Sequence, residues 1–279
     1  MRNLISILAL TVAPNLFAGA IFLTGHDPDF HASLGGNTTG AININRAAIQ
    51  FIMDPAFNPF VAGGIKKFLF VESKISPPGG HTNGVNGIVA SGYTLGTDFE
   101  HHDASTLGTE LNLLGTKYGG IVVASDFGGV LTAAELNILN SRSADIIAFL
   151  NAGGGLYAMA NSNSQARLTT GATPYGYLPF VVTAPALNQG EIGFTVTPFG
   201  SSLGLTNSDV NGNASHNYFT DTFGLNIVDV DASKNIISLA ARAPVGPTGV
   251  IPEPSTLMLL GLGLACVGSL RRRRPSLWS

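Results

Sequence analysis

The apolar positions of this chain gather in short continuous runs, separated by turns rich in Gly, Pro and Asn. Ile21-Phe22-Leu23-Thr24 is the first, ending at Gly25, and Phe68-Leu69-Phe70-Val71 is the second. Tyr93 to Phe99 is a weaker third, Gly120 to Asp126 a fourth and Leu156 to Ala160 a fifth. Runs this short, bounded by turn residues, read as strands buried on both faces. Between them the spacing turns helical. Ile44, Ala48, Ile49 and Ile52 predict a helix over 41–53, stopped by Pro55 and Pro59. Val85, Ile88 and Val89 predict a short helix, and 107–114 another. Thr132-Ala-Ala-Glu135 is a capping box opening a helix with one apolar stripe, Leu136, Leu139, Ile146, Ile147 and Leu150. Gly153-Gly154-Gly155 ends it.

Strand, helix and strand at this spacing form a right-handed parallel unit. Five such strands predict an α/β fold with a doubly wound, mostly parallel sheet. After Gln165 the texture changes to Pro- and Gly-punctuated runs at 175–184, 193–197, 225–230 and 236–240, with no long helix. These read as C-terminal antiparallel β additions to one sheet edge.

The two ends depart from this alternation. Met1-Arg2-Asn3 is a small positive region, Leu4 to Phe17 is mostly apolar, and Ala18-Gly19-Ala20 has the small-x-small form that signal peptidase cuts. Residues 1–20 read as a signal peptide, and the mature chain begins near Ile21. At the other end a linker, 244–251, leads to Pro252-Glu253-Pro254-Ser255, an apolar run from Thr256 to Leu270, and the block Arg271-Arg272-Arg273-Arg274. At about 1.5 Å per residue the run reaches roughly 23 to 25 Å, short for a permanent span but enough to stall in a bilayer. The arginines hold the chain end on the cytoplasmic side. This order resembles the bacterial PEP-CTERM sorting signal, here over 252–274, with 275–279 as a cytoplasmic tail end. The resemblance implies that an exosortase, an integral-membrane cysteine protease-transpeptidase, cuts near Pro252 to Ser255. Until then the membrane holds the precursor through the C-terminal helix. It also implies export to the cell envelope or extracellular matrix, where extracellular polysaccharide is an available partner.

Charge narrows the partners further. Taking Arg2, Arg271 to Arg274 and Glu253 from the 14 basic and 17 acidic residues leaves 9 and 16, a net of −7 for the mature part. An acidic body argues against nucleic acid, whose binding needs a basic face, and against adhesion to anionic lipid. The single cysteine, Cys266, sits in the apolar run of the tail, so the domain over 21–243 has no disulfide and no thiol.

Tyr118-Gly-Gly-Ile-Val-Val-Ala-Ser-Asp126 and Phe149-Leu-Asn-Ala-Gly-Gly-Gly-Leu156 are similar to the class I glutamine amidotransferase-like fold, especially its trehalose-utilisation branch. The likeness implies a flavodoxin-like sheet and a sharp elbow after the central strand, where that family carries a cysteine nucleophile. The matching stretch here is Ala158-Met159-Ala160-Asn161-Ser162, without a thiol, so the family's chemistry cannot operate. Ser162 could act as a displaced hydroxyl nucleophile with His216 as its base. The acidic partner after the histidine is missing, because Asn217 and Tyr218 stand there. A serine after a strand is more commonly a helix N-cap.

The histidines are better candidates. His26, Asp27, Asp29 and His31 follow the first strand, His101, His102 and Asp103 the third, and Asp126 the fourth. Carboxyl ends of parallel strands share one edge, where ligands bind in such folds. Imidazoles with carboxylates suit a divalent metal such as zinc. In the competing reading Asp27 and Asp29 cap a turn and the histidines bond backbone. Asn207-x-Asp209-x-Asn211-Gly212 opens like a calcium loop, but Tyr218 stands where the bidentate Glu belongs. Phe57, Phe60, Tyr175, Tyr177 and Phe180 offer rings for sugar stacking, although their apolar neighbours favour core filling.

Two functional readings stay open. One is a non-catalytic binding or structural protein on an amidotransferase-like scaffold. The other is a secreted metal-dependent or Ser/His hydrolase acting on envelope polysaccharide.

Overall fold

The first strand is drawn into the middle of the sheet because all five of its residues are apolar or small enough to bury. The computed structural model describes residues 19–161, 167–187 and 193–242. The signal peptide up to Ala18, Ser162, the linker and the sorting tail lie outside the described residues. Along the chain run β1 (Ala20–Thr24), α1 (Pro28–His31), α2 (Thr38–Ile52), α3 (Pro59–Ala62), β2 (Phe68–Val71), α4 (Val85–Ala90) and β3 (Phe99–His102). Then come α5 (Ala104–Glu110), a 3-10 turn at Leu111–Leu113, β4 (Gly120–Val123), α6 (Ala133–Ser141), α7 (Ser143–Asn151) and β5 (Gly155–Ala158). The last part holds β6 (Thr195–Val196), α8 (Pro198–Ser202), α9 (Asn207–Val210), β7 (Asn226–Val230) and β8 (Ile236–Arg242).

One eight-stranded mixed sheet has the order β3-β2-β4-β5-β1-β8-β7-β6. The first five strands are parallel, and β8, β7 and β6 add antiparallel beyond β1. Every residue of β1, β2, β4 and β5 is buried, so the central sheet is covered on both faces. That is why these strands read as unbroken apolar runs.

The glycine triplet before β5 has a separate reason at each position. Gly153 adopts φ +98°, the left-handed turn that ends α7. A Cβ on Gly154 would lie 2.2 Å from the Phe149 ring, and one on Gly155 would lie 2.3 Å from the Ile52 carbonyl oxygen. Gly155 thus lets the end of α2 press onto the sheet. Phe22 fixes the same contact, edge-on to Phe51 of α2 and to Tyr157 of β5.

Four expectations need correction. The third strand is Phe99–His102, not 93–99. Residues 94–98 are a turn closed by Asp98, which accepts from the Thr94 amide at 2.8 Å. β3 is an edge strand, which tolerates Glu100-His101-His102. The helix over 132–151 is two helices, broken at Arg142. The capping box on Thr132 and Glu135 is present. Past the break, the Arg142 guanidinium reaches across to the Gly108 carbonyl and Asn112 Oδ1. The stretch 175–184 is not a strand. Tyr175 sits at φ +54°, and Tyr175 and Tyr177 are buried as core. The helix expected over 107–114 begins earlier, as α5 over Ala104–Glu110, and gives way to the 3-10 turn Leu111–Leu113.

Filling the space at Gly155 should drive α2 off the sheet. Gly155→Val is expected to lower the unfolding free energy by about 2 to 3 kcal/mol, and Thr132→Ala by about 1 kcal/mol through loss of a cap. Urea unfolding followed by circular dichroism measures both. Equal effects of the two substitutions would contradict the close α2–β5 approach.

Candidate functional site

The carboxyl ends of β1, β2, β4 and β5 run straight into buried polar side chains: Asp27 and Asp29, Glu72, Ser125 and Asp126, and Asn161. Asp29 sits at the centre. Its Oδ1 accepts from Ser125 Oγ at 2.7 Å and the Phe30 amide at 3.0 Å, and its Oδ2 accepts from the Ser125 amide at 2.8 Å. This ties the β1 loop to the β4 loop. Glu72 ties β2 to two further turns: Oε1 accepts from the Gly84 amide at 2.5 Å and Val130 at 3.1 Å, and Oε2 from Val85 at 3.0 Å. The turn at Gly84 touches both carboxylates, since a Cβ there would meet Asp29 Oδ2 at 2.6 Å and Glu72 Oε1 at 2.9 Å.

Burial and the charge of Asp27 push the Asp29 carboxyl up to about 6. Burial and the charge of Asp29 push Glu72 up to about 8, against the pull of its three backbone donors. The desolvation of the charged form wins over the hydrogen bonds to it.

The predicted site residues divide among six places. Asp27, Asp29, His31 and His216 come together: His216 Nε2 lies 3.1 Å from Asp27 Oδ2, and His31 Nε2 lies 3.5 Å from Asp27 Oδ1. The His216 ring also stacks on Phe127 at 3.9 Å. His26 turns away to the antiparallel side, where Nε2 meets Asp229 Oδ2 at 3.0 Å. Asp126 accepts from Thr169 Oγ1 at 2.5 Å beside Asn161. His101 packs against Glu72, 3.1 Å from its carbonyl oxygen, and burial lowers its pKa to about 4, so it is neutral at pH 7. Asp103 caps α5 by accepting from the Ser105 amide and hydroxyl, and the Ser105 hydroxyl lowers its pKa. His102 lies on the outer edge of the sheet with Glu100 and Glu110.

That outer cluster is the one group of three potential metal ligands brought within reach among the described residues. A cation is already there. Lys117 Nζ lies 2.6 Å from Glu100 Oε2 and 3.1 Å from Glu110 Oε2, and the Tyr118 hydroxyl donates to both carboxylates. His26, His31, His101 and Asp103 do not converge. Nor do the oxygens of the calcium-like stretch. Asn207 Oδ1 accepts from Val196, Asn211 Oδ1 from Phe194, and Asp209 from Thr206 and Asn43, so N–H and O–H donors occupy them. The slot between His26, Asp27 and His31 has no room for a water molecule.

Glu72, Ser125, Asp229 and Thr169 were not singled out in the sequence. Glu72 could have been found, because it directly follows the β2 run and must lie at the carboxyl edge. Asp229 could not, because its role depends on β7 pairing beside β8.

The raised carboxyls give a pH signature. Asp29 and Glu72 hold protons more tightly folded than unfolded. Their contribution is full below their usual values of 3.8 and 4.5 and is lost as pH rises through about 6 and about 8. His101 works the other way between 6.5 and about 4, so the loss stands clear above pH 6.5. The urea midpoint is expected to fall from pH 6.5 to pH 8, and Glu72→Gln should abolish that slope. A midpoint that rises over this window would contradict the buried, raised Glu72.

A profile of the PEP-CTERM protein-sorting motif matches residues 250–274. No curated protein and no solved structure matches the chain. The motif marks an exported, envelope-associated protein that is processed by exosortase.

Proposed function

We propose that this chain is a surface protein, delivered by exosortase to the cell envelope or extracellular matrix, whose α/β domain binds there without catalysing a reaction. The motif match over 250–274 carries the reading. In this reading signal peptidase removes residues 1–20, which trims Ala20 from the start of β1, and 21–243 is the delivered domain. Residues 244–251 are a linker. The apolar run and Arg271 to Arg274 then hold the precursor in the membrane, with the C-terminus cytoplasmic, until the cut near Pro252.

The filled carboxyl edge supports a non-catalytic role. An amidotransferase-like scaffold would carry its nucleophile just after β5. Here Ala160 and Asn161 stand there, both buried, with their amides bonded to the His26 carbonyl and the Tyr175 hydroxyl. His216, the base a serine would need, is 2 % exposed and lies between Asp27 and the Phe127 ring. The histidine loops do not support a metal-dependent hydrolase: His26 lies against Asp229, His31 against Asp27 and His101 against Glu72, so they do not share one centre among the described residues.

The sorting half is tested in the native host. Replacing Arg271 to Arg274 with glutamine removes the positive-inside hold. Unprocessed precursor should then accumulate in the membrane fraction, read by mass spectrometry of the C-terminus. Normal maturation of this variant would overturn the sorting mechanism.

A further inference from the structure

We infer that the ligand site of this domain lies at the amino edge of the parallel sheet, in a cavity of 410 Å3 where α2 ends and β2 and β3 begin, and that it takes a neutral saccharide unit. The inference rests on the binding-protein reading above and adds to it a place and a ligand class.

The cavity is built differently from the carboxyl edge. Its floor is aromatic: Phe68 and Tyr93 meet edge-to-face at 5.5 Å. The Tyr93 ring is half-buried, so part of it faces the space above. Met53 and Pro55 form apolar walls. The rim carries Gln50, Lys66 and Asp98. Gln50 and Lys66 are exposed, and among the described residues neither side chain makes a hydrogen bond or ion pair. The Tyr93 hydroxyl also makes no hydrogen bond there. Burial pushes it up to about 12, so it stays protonated and can donate. Asp98 uses Oδ2 on the Thr94 amide and keeps Oδ1. At the carboxyl edge, by contrast, Asp29, Glu72 and Asp126 are all bonded to protein donors.

The uncommitted set selects the ligand. An amide and a phenol both donate and accept, an ammonium donates, and a carboxylate accepts. Sugar hydroxyls need that mixture, and a ring with one apolar face needs an aromatic surface to lie on. Asp54 lines the same cavity but is paired with Arg242, which leaves Asp98 against Lys66, so the mouth has no excess positive charge to favour an anion such as phosphate. A purely apolar ligand would strip water from these polar groups without replacing it. The volume lies within the roughly 300 to 1,000 Å3 usual for small-molecule sites.

The test uses the full-length chain in a detergent without a sugar headgroup. Isothermal titration is run with neutral disaccharides of glucose, galactose, mannose and N-acetylglucosamine, and with inorganic phosphate and leucine. At least one disaccharide is expected to bind in the millimolar range. Tyr93→Phe and Gln50→Ala should each weaken it about fivefold, the loss of one hydrogen bond. Tyr93 is half-buried and Gln50 exposed, and circular dichroism checks that the fold is kept. Disaccharide binding unchanged by both substitutions would overturn the cavity as the site while leaving the binding reading intact. Phosphate or leucine binding that the substitutions weaken, without disaccharide binding, would overturn the ligand class. No heat with any probe overturns the proposal, and precursor processing, scored separately, shows whether the sorting reading survives.

Discussion

Asp29 is a carboxylate at zero exposure that forms no ion pair among the described residues, and the carboxyl edge of the sheet is arranged around it. Leaving it unbonded would cost the full desolvation of a charge. Three donors, two of them backbone amides, offset part of that cost and in doing so fix the β1 loop against the β4 loop. The requirement spreads outward. A Cβ on Gly129 would lie 2.2 Å from Asp29 Oδ2, and one on Gly87 would lie 2.0 Å from the Asp29 carbonyl oxygen. The Gly128-Gly129 turn and α4 can therefore approach only because those positions lack side chains. Asn45 continues the link: it donates to the Pro28 carbonyl and to Ser91, and accepts from the Tyr157 hydroxyl. α1, α2, α4 and β5 are thus held by one buried polar network, and such networks are stable only when nearly every member is satisfied.

The same economy has a functional consequence. Parallel α/β sheets generally bind ligands at the carboxyl edge, because loops there can present free polar groups. In this domain the carboxylates Asp29, Glu72 and Asp126 at that edge are bonded to protein donors. Perturbed carboxyls near a strand end commonly mark acid–base catalysis. Here Glu72 has three backbone donors and Asp29 has Ser125, so the raised values reflect burial in a latch. Uncommitted polar groups and open space occur together at the opposite edge, beside an aromatic floor.

How much of this was legible in the sequence follows from what each part depends on. β1, β2, β4 and β5 were legible because burial on both faces demands an unbroken apolar run. The capping box at Thr132 and Glu135 was legible because it is local. β3 was displaced in the reading because an edge strand buried on one side can carry Glu100, His101 and His102. The order of 167–187 was illegible, since it depends on the Tyr175 hydroxyl reaching the Met159 carbonyl and the Asn161 amide from a distant strand end. Asp27, Asp29 and Asp126 were placed at the correct edge. Their role was not readable, because Ser125, the partner of Asp29, lies 96 residues away and binds partly through its backbone.

The limits of the domain are also set by packing. Ala20 and Arg242 are register partners at the start of β1 and the end of β8, so the chain enters and leaves the described domain at one place. The exit is clamped. The Arg242 guanidinium lies 3.8 Å above the Phe57 ring and 4.7 Å above Phe51, and its Nη1 is 2.6 Å from Asp54 Oδ2. A charge stacked between two rings and paired with a half-buried carboxylate holds a strand end more firmly than the pairing of β8 alone. Force applied through the following linker would meet this clamp before reaching β1, the strand on which both the parallel and the antiparallel halves of the sheet depend. Phe57, read from the sequence as a ring for sugar or core, serves this clamp instead.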